Sequence, residues 1–191
     1  MRRIFANLLL KLIQSFRCIF YRMLSNASTK GQVEKNQPVL MLGQGIIEFE
    51  KKVKLGYFPS PFFLNGYMHI EARGAASSVK VGEGTHINNN FVAIAEHVSI
   101  VIGKRCLFGT HVEIYDSDFH GLAVADRSVS DPAQAKSVLI GDDVFVGSNV
   151  KIMKGVEIGN GSVIANGAVV VGKISANVVV GGNPAKVLRV I

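Results

Sequence analysis

Aliphatic residues recur at a step of six through the C-terminal part of the chain, as Ile140, Val146, Ile152, Ile158, Ile164 and Val170. A second series follows four residues behind, as Val144, Val150, Val156, Ser162 and Ala168, all small or β-branched. A helix repeats near 3.6 residues and a strand at two, so neither element accounts for this spacing. The step predicts an all-β solenoid of hexapeptide repeats. In such a parallel β-helix three short strands make one triangular coil, and successive coils stack. Each hexapeptide turns one large residue inward and fills a corner with a small one. Gly, Asn and Asp between them supply the turns, where positive φ is often required.

Upstream the pattern is less regular. Val39, Met41, Ile46, Phe49 and Val53 suggest strands, and an aromatic and proline-rich segment, Tyr57–Tyr67, interrupts them. That segment reads as a binding surface or as a packed cap over the open end of the solenoid. The repeat is legible again at Val81–His86 and Ile87–Val92, after which Ile94 arrives one residue late. Ile102, Phe108 and Ile114 restore the step, and Cys106 occupies a small corner position. Residues 115–137 then lose all periodicity. A loop of that size thrown from a rigid solenoid is usually functional. Its root, Asp116-Ser-Asp-Phe-His120, sets a histidine among carboxylates.

The solenoid is assigned to residues 38–191, preceded by a polar linker over 25–37 and a helix over 1–24. That helix is basic and amphipathic. Phe5, Leu8, Leu9, Leu12, Ile13, Phe16, Ile19, Phe20, Met23 and Leu24 share one side; Arg3, Asn7, Lys11, Gln14, Arg17 and Arg22 share the other. Lys11, Gln14 and Arg17 at its centre argue against a span. The interrupted apolar run argues against a cleaved secretory signal. Two readings stand: a helix lying on the inner face of the cytoplasmic membrane, or one packed on its own oligomer or a partner.

Two cysteines, Cys18 and Cys106, make no disulfide framework and suit a reducing, cytoplasmic setting. The net charge of +7 could serve nucleic acid, yet no basic motif studded with aromatics is present. An anionic membrane or coenzyme suits the charge equally well. His69, His86, His97 and His111 show no repeated metal-ligand spacing, so no metal is expected.

The repeat over 140–171, the terminal Asn183-Pro-Ala-Lys-Val-Leu-Arg189 and the break at Asp116–His120 together resemble the hexapeptide-repeat acyltransferases, nearest the galactoside, maltose and polysaccharide O-acetyltransferases. The resemblance implies a homotrimer of left-handed parallel β-helices that binds acetyl-coenzyme A between neighbouring subunits. It places His120 at the family's catalytic histidine and Asn89 at an asparagine that touches the acceptor, with Asn88 and Asn90 beside it. Phe145 falls where relatives often carry tryptophan near the active site.

The chemistry is consistent with that resemblance. Acetyl transfer to a sugar hydroxyl needs a base, and imidazole, whose unperturbed pKa is ~6.5, takes a proton near neutrality. Asp116, Asp118, Glu96 or a backbone carbonyl could hold its other nitrogen, and Asp116 and Asp118 are also candidates to bind the acceptor. A turn N–H such as Gly147–Ser148 could steady the oxyanion. Gly147, Ser148, Ala165, Asn166 and Gly167 are candidates to flank the pantetheine arm, and Lys173, Lys186 and Arg189 to meet the phosphates. The expected acceptor is a saccharide of a bacterial surface polysaccharide (capsule, O-antigen or exopolysaccharide) or its precursor. The alternatives are N-acetylation of an amino sugar nucleotide and a non-catalytic trimeric scaffold.

Overall fold

A computed structural model describes residues 2–191. Met1, and the side chain of Arg3 that the sequence puts on the polar helix face, lie outside the described residues. Three parallel sheets form the faces of a prism, two of six strands and one of eight. Each coil contributes one strand to each sheet in turn. Buried side chains stack in register from coil to coil. Met41, Ile70, Ala93, Ile114, Ile152 and Val170 form one such column. Leu55, Ile87, Phe108, Val146 and Ile164 form another on a second face. All but Phe108, at 4% exposed, are at most 2% exposed, so the six-residue step is the core of the molecule. Cys106 fills its corner, and burial pushes its thiol pKa up, consistent with a packing role.

Three expectations from the sequence need correction. The segment 25–37 is not a linker: Ser28–Lys30 and Val33–Lys35 are strands that pair in parallel with Ile46–Phe49 and Val53–Leu55. Their polar side chains mislead because an end coil keeps little apolar contact on its outer side. Next, Ala93 rather than Ile94 keeps the step after Ile87, so there is no slip there. The extra length instead enters at the corner Glu96-His97-Val98. Finally, Tyr57–Tyr67 does not close the end of the solenoid. It projects from the second coil and meets the N-terminal helix.

The helix Arg2–Leu24 packs against the strand Val39–Leu42 of the first coil. It is turned opposite to the usual amphipathic helix of a soluble protein. Gln14 is buried and donates to the carbonyls of Phe63 (2.9 Å) and Asn36 (3.2 Å). Arg17 donates to the carbonyls of Phe63 (3.2 Å) and Gly66 (2.5 Å). Gln14 and Arg17 of the polar side therefore face protein, Asn7, Lys11 and Arg22 stay exposed, and the apolar side faces outward.

Candidate active site

The loop 116–137 leaves the prism at the corner between the third sheet and the first. Asp116 anchors it from inside. Its fully buried carboxylate accepts from the backbone N–H groups of Glu96 (2.8 Å), His97 (2.9 Å) and Val98 (2.8 Å). These donors belong to the longer corner, so one carboxylate satisfies a turn that the regular ladder leaves unpaired. Asp116 is thus a structural residue, not an acceptor ligand.

Glu96 ties both limbs of the loop. It is 7% exposed and accepts from Ser117 Oγ (2.5 Å), Ser130 Oγ (2.7 Å) and Arg73 Nη1 (2.9 Å). Burial pushes its carboxyl pKa up, but the hydrogen bonds from Ser117, Ser130 and Arg73 outweigh burial and hold it below the ordinary value. His97 Nε2 sits 3.0 Å from Ser130 Oγ, extending the same cluster. Phe119 adopts φ +63°, a conformation rare for a bulky residue. Its ring is held edge-on to Tyr115 at 5.5 Å and beneath the Arg73 guanidinium at 5.3 Å. A left-handed residue here swings the next one out of the coil.

That next residue is His120, which is exposed. Its Nδ1 lies 2.8 Å from the carbonyl oxygen of Arg127. A carbonyl only accepts, so Nδ1 carries the hydrogen and Nε2 of the neutral ring keeps a free lone pair. Of the orienting partners that the sequence left open, a backbone carbonyl is the one in contact. His120 lines a cleft of about 500 Å³ with Asp118, Leu122, Asp126, Asp131 and Gln134. Asp118 is paired with Lys154 at 2.7 Å.

The remaining sequence candidates do not gather around His120 within one chain. Asn89 is fully buried, its Oδ1 accepting from Tyr57 N–H (3.0 Å) and its Nδ2 donating to the carbonyls of Tyr57 (3.1 Å) and Pro61 (2.8 Å). It clamps the aromatic loop and has no face left for an acceptor. Asn90 makes a left-handed turn at φ +60° and accepts from Gln37 Nε2. Asn88 donates to Ser60 Oγ and lines a second cleft of about 500 Å³ with Tyr57, Phe58, His86 and Leu107. Phe145 is half-exposed on the same sheet, in register between Leu107 and Val163.

Gly147, Ser148, Ala165, Asn166 and Gly167 lie at the corner between the second and third sheets. The expected oxyanion donors are already used there: Gly147 N–H donates to the Ile164 carbonyl (2.8 Å) and Ser148 N–H to Asn166 Oδ1 (2.7 Å). That is a correction, because stacked coils consume the turn N–H groups that seemed available. Ala165 and Gly167 likewise donate to Val180 and Ser148 carbonyls. Lys173 is paired with Glu157 at 2.9 Å. Lys186 and Arg189 stand on the exposed C-terminal strand Ala185–Val190. Among the described residues no three His, Cys, Asp or Glu side chains gather as metal ligands.

Sequence reasoning missed Arg127, Ser130 and Arg73. A main-chain contact inside an aperiodic loop leaves no residue-type signal, so Arg127 could not be read. Ser130 and Arg73 become visible only when the coil stacking brings them to Glu96.

Residues 137–172 match the family model of the bacterial transferase hexapeptide, six repeats. Over nearly the whole chain the structure resembles that of a hexapeptide-repeat-containing acetyltransferase from Vibrio cholerae, with 27% identity, 98% of this chain and 89% of that one covered, and a TM-score of 0.61. By its repeat and by this likeness the chain is similar to hexapeptide-repeat acetyltransferases. The chain is also similar to the polySia-specific acetyltransferase at 26% identity, covering 87% of this chain and 68% of that one with a TM-score of 0.58. A galactoside acetyltransferase in complex with coenzyme A shares the fold at 23% identity, covering 99% of this chain and 80% of that one with a TM-score of 0.53. No curated protein sequence matches this chain.

Proposed function

We propose that this protein moves the acetyl group of acetyl-coenzyme A to a hydroxyl of a saccharide belonging to a bacterial surface polysaccharide or its precursor. The observation that carries this reading is the 2.8 Å contact from His120 Nδ1 to the Arg127 carbonyl in an open cleft. It leaves Nε2 free to take the hydroxyl proton as the oxygen attacks the thioester carbonyl carbon. The tetrahedral adduct then collapses, the carbon–sulfur bond breaks, and the imidazolium returns its proton to the departing thiolate. No group is consumed, and free coenzyme A and the acetyl ester leave. The acceptor class is supported by the similarity to the polySia-specific acetyltransferase.

The working unit in this reading is a homotrimer. His120 stands on one edge of the prism, whereas Asn88 and Phe145 stand on the second sheet and its cleft. A neighbouring subunit would bring the His120 loop toward that second cleft and close a groove for the coenzyme. Lys186 and Arg189 are then the candidates for its phosphates, since Lys173 is engaged by Glu157.

The test is acceptor-dependent release of free coenzyme A from acetyl-coenzyme A, with matched hydroxyl and amino sugars and surface glycans offered in parallel. Release with hydroxyl acceptors supports the reading. Release with amino sugars alone would convert it to N-acetylation, and no release together with no coenzyme binding would leave a scaffold.

A further inference from the structure

We infer that the helix Arg2–Leu24 is a membrane-surface element whose outward apolar face seats in the headgroup region of an anionic bilayer, with Lys11 and Arg22 directed to lipid phosphates. Three observations lead there. The first is the reversed docking. Gln14 and Arg17 are spent on the carbonyls of Asn36, Phe63 and Gly66, and the Tyr21 ring packs on Tyr67 at 4.8 Å. The β-helix therefore holds this helix by its polar side.

The second is what that docking leaves outside. Leu8, Leu12, Phe16, Ile19 and Met23 are 56%, 61%, 72%, 58% and 78% exposed, and Phe5 and Ile13 extend the same face. The stripe covers about half the helix circumference. It runs the length of a 23-residue helix, about 35 Å at 1.5 Å per residue. A continuous apolar surface of this extent on a folded protein marks a contact with something apolar.

The third observation selects the occupant. Lys11 and Arg22 are eleven positions apart, which sets them within about 20° of each other along one margin of the stripe. The helix contains no acidic residue. A second copy would thus meet this margin with the same positive charges, whereas an anionic lipid surface complements them. The helix is long and apolar enough to cross a bilayer by length and composition. A span would strip Gln14 and Arg17 from their partners and leave both in hydrocarbon, so seating on the surface fits the structure better.

The test uses the full chain and reads lipid binding alone, so its outcome is separate from that of acetyl transfer. The protein is sedimented with vesicles of phosphatidylcholine and phosphatidylglycerol in equal parts, and with pure phosphatidylcholine vesicles. The wild type is expected in the anionic pellet, released by alkaline carbonate. The Leu12→Glu/Phe16→Glu variant, altered only at exposed positions, is expected in the supernatant. Lys11→Gln/Arg22→Gln should weaken binding to anionic vesicles about 30-fold, the product of two lipid-facing charges. Wild type that stays soluble with anionic vesicles overturns the inference, as does a glutamate variant that pellets equally well. A carbonate-resistant pellet would show a span instead. Soluble wild type whose oligomer dissociates in the glutamate variant would make this face a subunit interface.

Discussion

His120 Nδ1 donates to the main-chain carbonyl of Arg127 at 2.8 Å, so the loop that carries the histidine also fixes its tautomer. The partner atom belongs to the backbone, seven residues further on, and no side chain is needed to supply it. Arg127→Ala is therefore expected to keep kcat within about threefold of wild type, the size of a surface change. Replacing residues 122–129 with a short glycine linker should cost activity on the scale of losing the base, about two to four powers of ten. Steady-state kinetics on both variants checks this; a large loss in Arg127→Ala alone would mean that the side chain matters.

Glu96 is a positioning residue that acts through Ser117 and Ser130. In Glu96→Ala both hydroxyls and Arg73 Nη1 lose an acceptor, while Arg73 keeps Glu71; the expected loss is roughly 1–3 kcal/mol, with faster proteolysis inside 117–131. Limited proteolysis with thermal melting reads both effects. Unchanged cleavage would remove Glu96 from loop positioning.

The same carboxylate sets a pH dependence. Its folded pKa lies below its ordinary value, so it adds stability above the unfolded value, ~4.3, that fades as pH falls through the folded one. Wild type should lose loop protection on acidification below about pH 4. Glu96→Gln should show a smaller acid-dependent change in hydrogen exchange over residues 117–131. An identical acid response in the two proteins would contradict this assignment.

Asn89 is expected to behave as a clamp. Asn89→Ala leaves the Tyr57 N–H and the Tyr57 and Pro61 carbonyls without their partner, for roughly 1–3 kcal/mol per buried group left unsatisfied. The melting temperature should fall clearly. A normal melt with a collapsed kcat would restore Asn89 to the acceptor site.

Gly147 tests the stacking itself. A Cβ there would come within 2.3 Å of Asn166 Oδ1 and 2.8 Å of Asn166 N. Gly147→Ala should destabilise by about 1–3 kcal/mol, as overpacked sites do. Denaturant titration is the measurement, and an unchanged midpoint would show that the corner yields easily.

Much of the fold was legible because neither a helix nor a lone strand repeats every six residues. Ile140, Val146, Ile152, Ile158, Ile164 and Val170 are all buried, as that spacing demands. The first two strands were not legible, since Ser28–Lys30 is wholly polar and Val33 is the one apolar residue of Val33–Lys35. At the site, the loop root and His120 could be found from the loss of periodicity. The roles of Asp116 and Asn89 could not, because polar side chains that satisfy a corner or a loop look the same in sequence as those that bind ligand. The reversal of the helix was hidden for a related reason. Hydrophobic pattern defines two faces but does not say which one meets the protein.

The most direct measurement is kcat of His120→Ala for acceptor-dependent coenzyme A release, made beside a titration of acetyl-coenzyme A binding. With His120 as the base, kcat falls by about two to four powers of ten while coenzyme affinity and melting temperature are retained. A variant that still turns over at the wild-type rate would contradict that role.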